Sequence, residues 1–142
     1  MSEIKVDTLT GKTTANDITV TVGASATQSL EQGLVKSFVY LNGTGTPAVR
    51  NSKSFNISSV TDTNTGQYSS TLTNNHDSAD YGVSGGNSGD NSTANRASVT
   101  VCATGSTTAN TSSTYRYATW SASASNYLDT THIGVITHGD LA

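Results

Sequence analysis

The chain carries the side chains that nucleophilic catalysis uses, 21 serines and three histidines, but no local arrangement of them indicates an active site. A nucleophilic serine needs a base beside it, and the strained Gly-x-Ser-x-Gly turn is its usual local pattern. The one match to that pentapeptide, at residues 82–86, is followed by a polar loop and not by the helix that such a turn begins. The ten carboxylates are scattered, and most lie in loop-like segments, so they do not indicate the carboxylate pair of a glycoside hydrolase. We therefore expect a protein without enzymatic activity.

Metal-ligating residue types are equally dispersed, so we expect no metal and no cofactor. On one strand, His132 and His138 would stand about 20 Å apart at ~3.3 Å per residue, too far to share an ion. Three copies of one histidine around a threefold axis remain an open alternative. Residues 62–66 resemble the start of a calcium loop but lack its closing glutamate, which favours a hairpin turn. Cys102 is the only cysteine, so an intrachain disulfide is excluded.

The aromatic residues near position 117 allow two interpretations. Alternation along a strand places Tyr115 and Tyr117 on one face and Trp120 on the other. These three residues are candidates for surface recognition of a host cell-surface glycan or a protein. Cross-strand packing is the alternative, and we favour it because a chain poor in core residues needs its largest side chains inside.

The composition indicates a β-rich protein with little core material of its own. Val, Leu, Ile and Phe make 25 of 142 residues, about 18%, which is below the ~20% that often marks disorder. A net charge of −3 does not fit disorder, and 25 threonines with 21 serines fit strands and turns. Identical subunits can supply the missing burial at their interface. The composition therefore predicts an oligomer.

Charge and hydropathy exclude two classes of partner. Nucleic acid is not expected, because the chain is mildly acidic and has no cluster of lysines and arginines. Membrane insertion is not expected, because no stretch of 18 apolar residues occurs. The first residues show no signal-peptide pattern, so we expect synthesis in the cytoplasm without classical secretion.

The N-terminal region predicts short extended segments and one short helix. Residues 4–9 and 18–22 alternate apolar and polar side chains, as strands do. Ser25 followed by Gln28 is typical of a helix start, and Gly33 of a helix end, so we predict a helix over residues 25–33. Isolated helices shorter than ~12–15 residues are marginal in water, so this one must pack on a partner.

From residue 34 onward the pattern is that of strands joined by turns. The predicted strands cover residues 34–41, 54–60, 67–73, 81–84, 97–103, 114–121 and 131–137. Seven strands separated by Gly, Asn, Asp, Ser and Thr favour a β-sandwich or a jelly-roll-like barrel. The predicted organisation is an anchoring segment over 1–24, a neck helix over 25–33 and a β-rich domain over 34–142.

Several segments carry a resemblance to a known family. They are residues 2–11, 32–46, 54–62, 66–68, 81–83 and 133–136. Together they resemble the fibre and knob proteins of marine tailed bacteriophages, over most of the chain except its middle loops. The resemblance implies a homotrimer on the virion surface with a thin N-terminal attachment segment, a short neck and a β-rich knob. It implies no catalytic motif.

This reading gives each apolar residue of the N-terminal region an expected role. The apolar residues expected to anchor the chain to another virion protein of the capsid or tail are Ile4, Val6, Leu9, Ile18, Val20 and Val22. The residues expected at the trimer interface are Ala26, Leu30 and Leu34. A head fibre or short tail fibre is the first hypothesis. The alternatives are a capsid decoration trimer that stabilises the shell and a carbohydrate-binding domain.

Overall fold

The computed structural model describes residues 5–10, 18–22, 25–87, 97–101, 109–121 and 125–142. The chain divides into two compact units, Met1–Leu34 and Val35–Ala142. The second unit begins one residue after the predicted start of the β-rich domain. Within the first unit, strand pairing joins residues that the sequence placed in separate anchoring and neck segments.

The N-terminal unit is a two-stranded antiparallel ribbon followed by a single helical turn. Strand β1 (Thr19–Val22) pairs with β2 (Ala26–Ser29), and α1 (Leu30–Gly33) follows directly. The Leu30 amide donates to the Ile18 carbonyl oxygen at 2.8 Å, which extends the ribbon by one bond.

Two predictions for this unit are wrong. Residues 26–29 are a strand and not the first turn of a helix, because pairing with β1 satisfies backbone groups that a two-turn helix would leave open. The predicted strand at residues 4–9 is not seen in its described part, since residues 5–10 have no partner strand. Ile4 lies outside the described residues. The helix end at Gly33 is confirmed.

The second unit is built from two antiparallel sheets, as predicted for a β-sandwich-like fold. The four-stranded sheet has the order β4 (Ala48–Phe55), β3 (Ser37–Asn42), β11 (Ile133–His138), β7 (Gly82–Asn87). The five-stranded sheet has the order β10 (Asn126–Tyr127), β9 (Thr114–Ser121), β6 (Gln67–Leu72), β5 (Ile57–Asn64), and β8 (Ala97–Val101) also pairs with β9.

Residue Asn56 turns the chain from one sheet to the other. Its φ of +57° breaks the strand predicted over residues 54–60 into the end of β4 and the start of β5. The Asn56 side-chain nitrogen, Nδ2, donates to the carbonyl oxygens of Lys36 and Asn74 at 3.0 and 2.9 Å. Its side-chain oxygen accepts from the Asn74 amide at 2.7 Å. Three hydrogen bonds therefore hold this corner.

The predicted turn at residues 62–66 is confirmed as the hairpin between β5 and β6, with Gly66 at a φ of +63°. An added Cβ at Gly66 would lie 2.5 Å from the Leu128 amide nitrogen, so the position also needs the missing side chain for close approach. Strand β7 runs through Gly85 and Gly86 to Asn87, where the sequence predicted a turn.

One core lies between the two sheets, and tyrosines fill much of it. The buried cluster comprises Val39, Leu41, Ile133 and Val135 from the four-stranded sheet and Tyr68, Leu72, Tyr115 and Tyr117 from the five-stranded sheet. Buried hydroxyl groups complete it, among them those of Ser37, Ser70, Thr119 and Thr137. Large aromatic rings and paired hydroxyls thus supply burial that the scarce aliphatic residues do not.

Candidate functional site

Three of the residues expected to anchor the chain have exposed side chains. Val6 and Leu9 are each 60% exposed, and Val20 on β1 is 41% exposed. Ile18 is half-buried. The side chain of Val22 lies outside the described part of the structure.

Two of the residues expected at a trimer interface line one concave pocket of the N-terminal unit. Leu30 is half-buried, Leu34 is 53% exposed, and both face a pocket of about 210 Å³. The remaining lining residues are Val20, Gln28, Ser29 and Gly33. Ala26 is exposed on β2 and does not line the pocket. An apolar side chain of another molecule would fit this pocket.

The proposed recognition surface around Tyr115 and Tyr117 is wrong. Both side chains are fully buried in the sandwich core, with ring centroids 5.8 Å apart. Burial raises the pKa of both phenols, as expected for hydroxyls removed from water. Trp120 lies on the opposite face, half-buried, with its ring edge-on to Tyr127 at 4.9 Å. The packing interpretation therefore holds for the two tyrosines.

One buried histidine lies beside two hydroxyl groups, as the base of a nucleophilic serine or threonine does. His76 Nε2 lies 3.1 Å from Thr137 Oγ1, which in turn lies 2.7 Å from Ser37 Oγ. His76 Nδ1 lies 3.1 Å from the carbonyl oxygen of Asp140. The imidazole also stacks on Tyr81, with ring centroids 4.1 Å apart.

This network is structural. Ser37 and Thr137 have no exposed surface, and His76 is 1% exposed, so no substrate reaches the hydroxyls. The third group is a main-chain carbonyl and not the carboxylate that stabilises an imidazolium in a catalytic triad. Desolvation by burial lowers the pKa of His76, which keeps the ring neutral. The network ties the C-terminal segment to the sandwich.

A second polar junction involves the Asp129 carboxylate. It accepts hydrogen bonds from the Gly66 amide at 2.6 Å and from the Tyr68 hydroxyl at 2.9 Å. Burial and this carboxylate together raise the pKa of Tyr68. Both of these contacts of Asp129 lie within the fold. In the described ranges, no three or more His, Cys, Asp or Glu side chains gather as a metal site would require.

The outward face of the four-stranded sheet carries a cluster that sequence reasoning missed. We call Tyr40, Arg50, Thr131 and His132 the basic-aromatic cluster. The Arg50 guanidinium carbon lies 5.8 Å from the centre of the Tyr40 ring, and Arg50 Nη1 donates to the Thr131 carbonyl at 2.8 Å. The His132 ring lies 5.9 Å from Tyr40, and its Nδ1 contacts Thr131 Oγ1 at 2.7 Å.

Apolar rings and open backbone flank this cluster on the same face. Phe38 and Phe55 are paired across β3 and β4, stacked with centroids 6.3 Å apart, and remain 37% and 54% exposed. Tyr40 is in register with Gly134, and Gly134 with Gly86. An added Cβ at Gly86 would meet nothing within 4 Å, so the surface beside Tyr40 is low and open.

Alternation within residues 38–40 was the only signal in the sequence for this face. It places Phe38 and Tyr40 on one side of a strand. The approach of residues 40, 50 and 132 depends on the sheet order and is not visible in their spacing.

The comparisons add no family to this description. No protein-family model matches the chain, and neither the curated proteins nor the solved structures give a match. Among the described residues, no helix is long and apolar enough to cross a membrane.

Proposed function

We propose that this protein is a non-enzymatic structural protein of a bacteriophage virion, a homotrimeric surface fibre or knob. In this proposal the N-terminal unit attaches the trimer to the particle, and the β-rich unit is displayed. The division of the chain into a small unit with exposed apolar side chains and a larger unit with its own core carries the proposal.

Elementary energetics support the attachment role. A lone two-stranded ribbon is marginal in water, and β1 and β2 have only four residues each. The ribbon therefore gains stability when a partner covers Val20, Leu30 and Leu34. Added strands from a virion protein or from neighbouring copies are one common way to cover such an edge.

Attachment is tested with virus particles that lack the native protein. The full chain should bind these particles, and a chain with Leu9→Ser and Val20→Ser, changes at two exposed anchoring residues, should bind them much more weakly. Ala79→Ser, a change of an exposed residue in the β-rich unit, is the matched control and should bind like the parent. Electron microscopy of labelled protein would show whether it sits on the head or the tail.

Full binding by the double variant would place attachment away from these residues and contradict the anchoring role. The strand pairing also defines the truncation to use. Removal of residues 1–34 takes away β1 and β2 together, whereas removal of residues 1–24 leaves β2 without β1. The chain 35–142 should remain folded and lose particle binding.

A further inference from the structure

We propose that the outward face of the four-stranded sheet binds an acidic polysaccharide, with the basic-aromatic cluster as its centre. The biological setting rests on the proposed function, in which this unit is displayed on a virion. Binding itself is a property of the isolated chain, so it can fail while attachment and assembly stand.

Charge is the first argument. The four strands of this sheet contain Arg50, Lys53 and His138 but no aspartate or glutamate, although the whole chain has a net charge of −3. Arg50 spends one donor on the Thr131 carbonyl, and no described carboxylate pairs with it. An arginine has five N–H donors in a planar fork that suits a carboxylate or sulfate. The face is therefore complementary to an anion.

The rings supply a second element of recognition. Tyr40 and His132 stand beside the guanidinium, and Phe38 and Phe55 lie one row away along the same face. A sugar ring presents an apolar C–H face that packs on aromatic rings, while its hydroxyl edge takes hydrogen bonds. In the described structure the Tyr40 hydroxyl and His132 Nε2 have no partner and are free for that role.

The relief of the face favours a flat, extended ligand. Tyr40, Gly134 and Gly86 lie in register on three neighbouring strands. The tyrosine ring projects from the sheet, and the two glycines beside it form a flat floor without side chains. Strands in a sheet lie about 4.8 Å apart, so this floor extends roughly 10 Å from β3 to β7. A sugar unit can lie on the floor with its acid group toward Arg50.

A peptide fits this surface less well. Extended peptides dock by adding a strand at a sheet edge, where main-chain groups are unpaired, and this face offers the side chains of paired strands. A second copy of the chain would have to bring carboxylates to the face. Binding of a peptide and binding of a second copy are therefore outcomes of the test.

The test measures binding of the full chain to polygalacturonate, dextran sulfate and neutral dextran. We expect binding to one or both acidic polymers, weaker at high salt, and none to neutral dextran. Preference between the two acidic polymers tells carboxylate from sulfate. Arg50→Gln should weaken binding by at least about tenfold, because charge-assisted hydrogen bonds are the strong ones.

A second variant keeps the test valid if Arg50→Gln does not fold. Gly86→Thr introduces a strand-favouring side chain into open space, so it should preserve the melting temperature while it blocks the floor and weakens binding. Arg116→Gln makes the same charge change on β9 of the other sheet and should bind like the parent.

Four results would overturn the proposal. Equal binding to neutral dextran, or equal loss in Arg116→Gln, would remove the role of the cluster. Binding of poly-glutamate as tight as that of the acidic polymers would show recognition of charge without sugar. Absence of binding, together with loss of self-association in Arg50→Gln, would show that another copy of the chain covers the face.

Discussion

The ring of His76 is held neutral between Thr137, the Asp140 carbonyl and Tyr81. The Asp140 carbonyl accepts from Nδ1, so in the neutral ring Nε2 accepts from the Thr137 hydroxyl. Protonation of Nε2 would require that hydroxyl to accept instead and to turn its proton toward Ser37. Gly139, at a φ of +154°, keeps the chain close to this ring, and a Cβ there would lie 2.8 Å from the Tyr81 Cβ. A single protonation therefore acts on the segment that closes the fold.

The first prediction is a loss of stability in mild acid. Because burial lowers the pKa of His76 from 6.5, the unfolded chain takes up the proton first as the pH falls below about 6.5. The free energy of unfolding should then decrease until the pH reaches the lowered pKa of the folded state. Urea unfolding at a series of pH values measures this slope.

The histidine responsible can be assigned with two variants. His76→Gln should be less stable near neutral pH and should lose most of the slope below pH 6.5. His138→Gln, a change at a half-buried position on β11, should keep that slope. An unchanged slope in His76→Gln would mean that another group takes up the proton.

At the scale of the element, the corner between β4 and β5 depends on one residue. Asn56→Ala removes three side-chain hydrogen bonds and leaves a φ of +57° to alanine, which adopts the left-handed region less readily than asparagine does. Chemical denaturation should show a loss of roughly 2–4 kcal/mol. Asn56→Gly tolerates the backbone conformation but also loses the bonds, so its loss should be smaller.

A corner held by other contacts would give a different pattern. If Asn56→Ala unfolded at the same denaturant concentration as the parent, neither the three hydrogen bonds nor the positive φ of Asn56 would contribute to the free energy of unfolding. Equal losses in the alanine and glycine variants would assign the whole effect to the hydrogen bonds.

The sequence predicted those elements whose pattern is local. Strand β9 was predicted at its observed bounds because its alternation is regular over eight residues. Strand β4 was missed because its polar run and the positive φ of Ser52 break the alternation. The helix predicted over 25–33 is longer than the observed one. Its capping residues suggest a helix start, but they do not reveal that β1 pairs with residues 26–29.

The candidate sites were less predictable than the strands, for a physical reason. Tyr40, Arg50 and His132 meet only because β3 has β4 on one side and β11 on the other. The burial of His76 likewise depends on residues 137 and 140, far away in sequence. Contacts of this kind follow from topology, which the spacing of residue types does not specify.

At the scale of the whole molecule, we predict a trimer. Light scattering at micromolar concentration should give about three times the chain mass of 14.6 kDa. Leu30→Ala combined with Leu34→Ala should weaken assembly and leave the β-rich unit folded, because Leu34 is 53% exposed in the single chain.

The control for this prediction lies in the core. Leu72→Ala removes a side chain that is 4% exposed and should cost about 2–5 kcal/mol of fold stability. A stable folded monomer of the parent chain would contradict the trimer. An unchanged trimer in the double leucine variant would place the interface elsewhere.

The position of β9 has a consequence for the order in which the molecule opens. Its first half pairs with β6, Tyr117–Ser121 pair with β8, and Trp120 and Ser121 also pair with β10. Within the β-rich unit, deuterium exchange should therefore be slowest at the amides of β9 and faster along edge strands such as β4. Partial opening would release β4, which carries Arg50, while β9, which carries Tyr115 and Tyr117, stays paired. The binding face of the four-stranded sheet would then be disrupted before the β-rich unit unfolds.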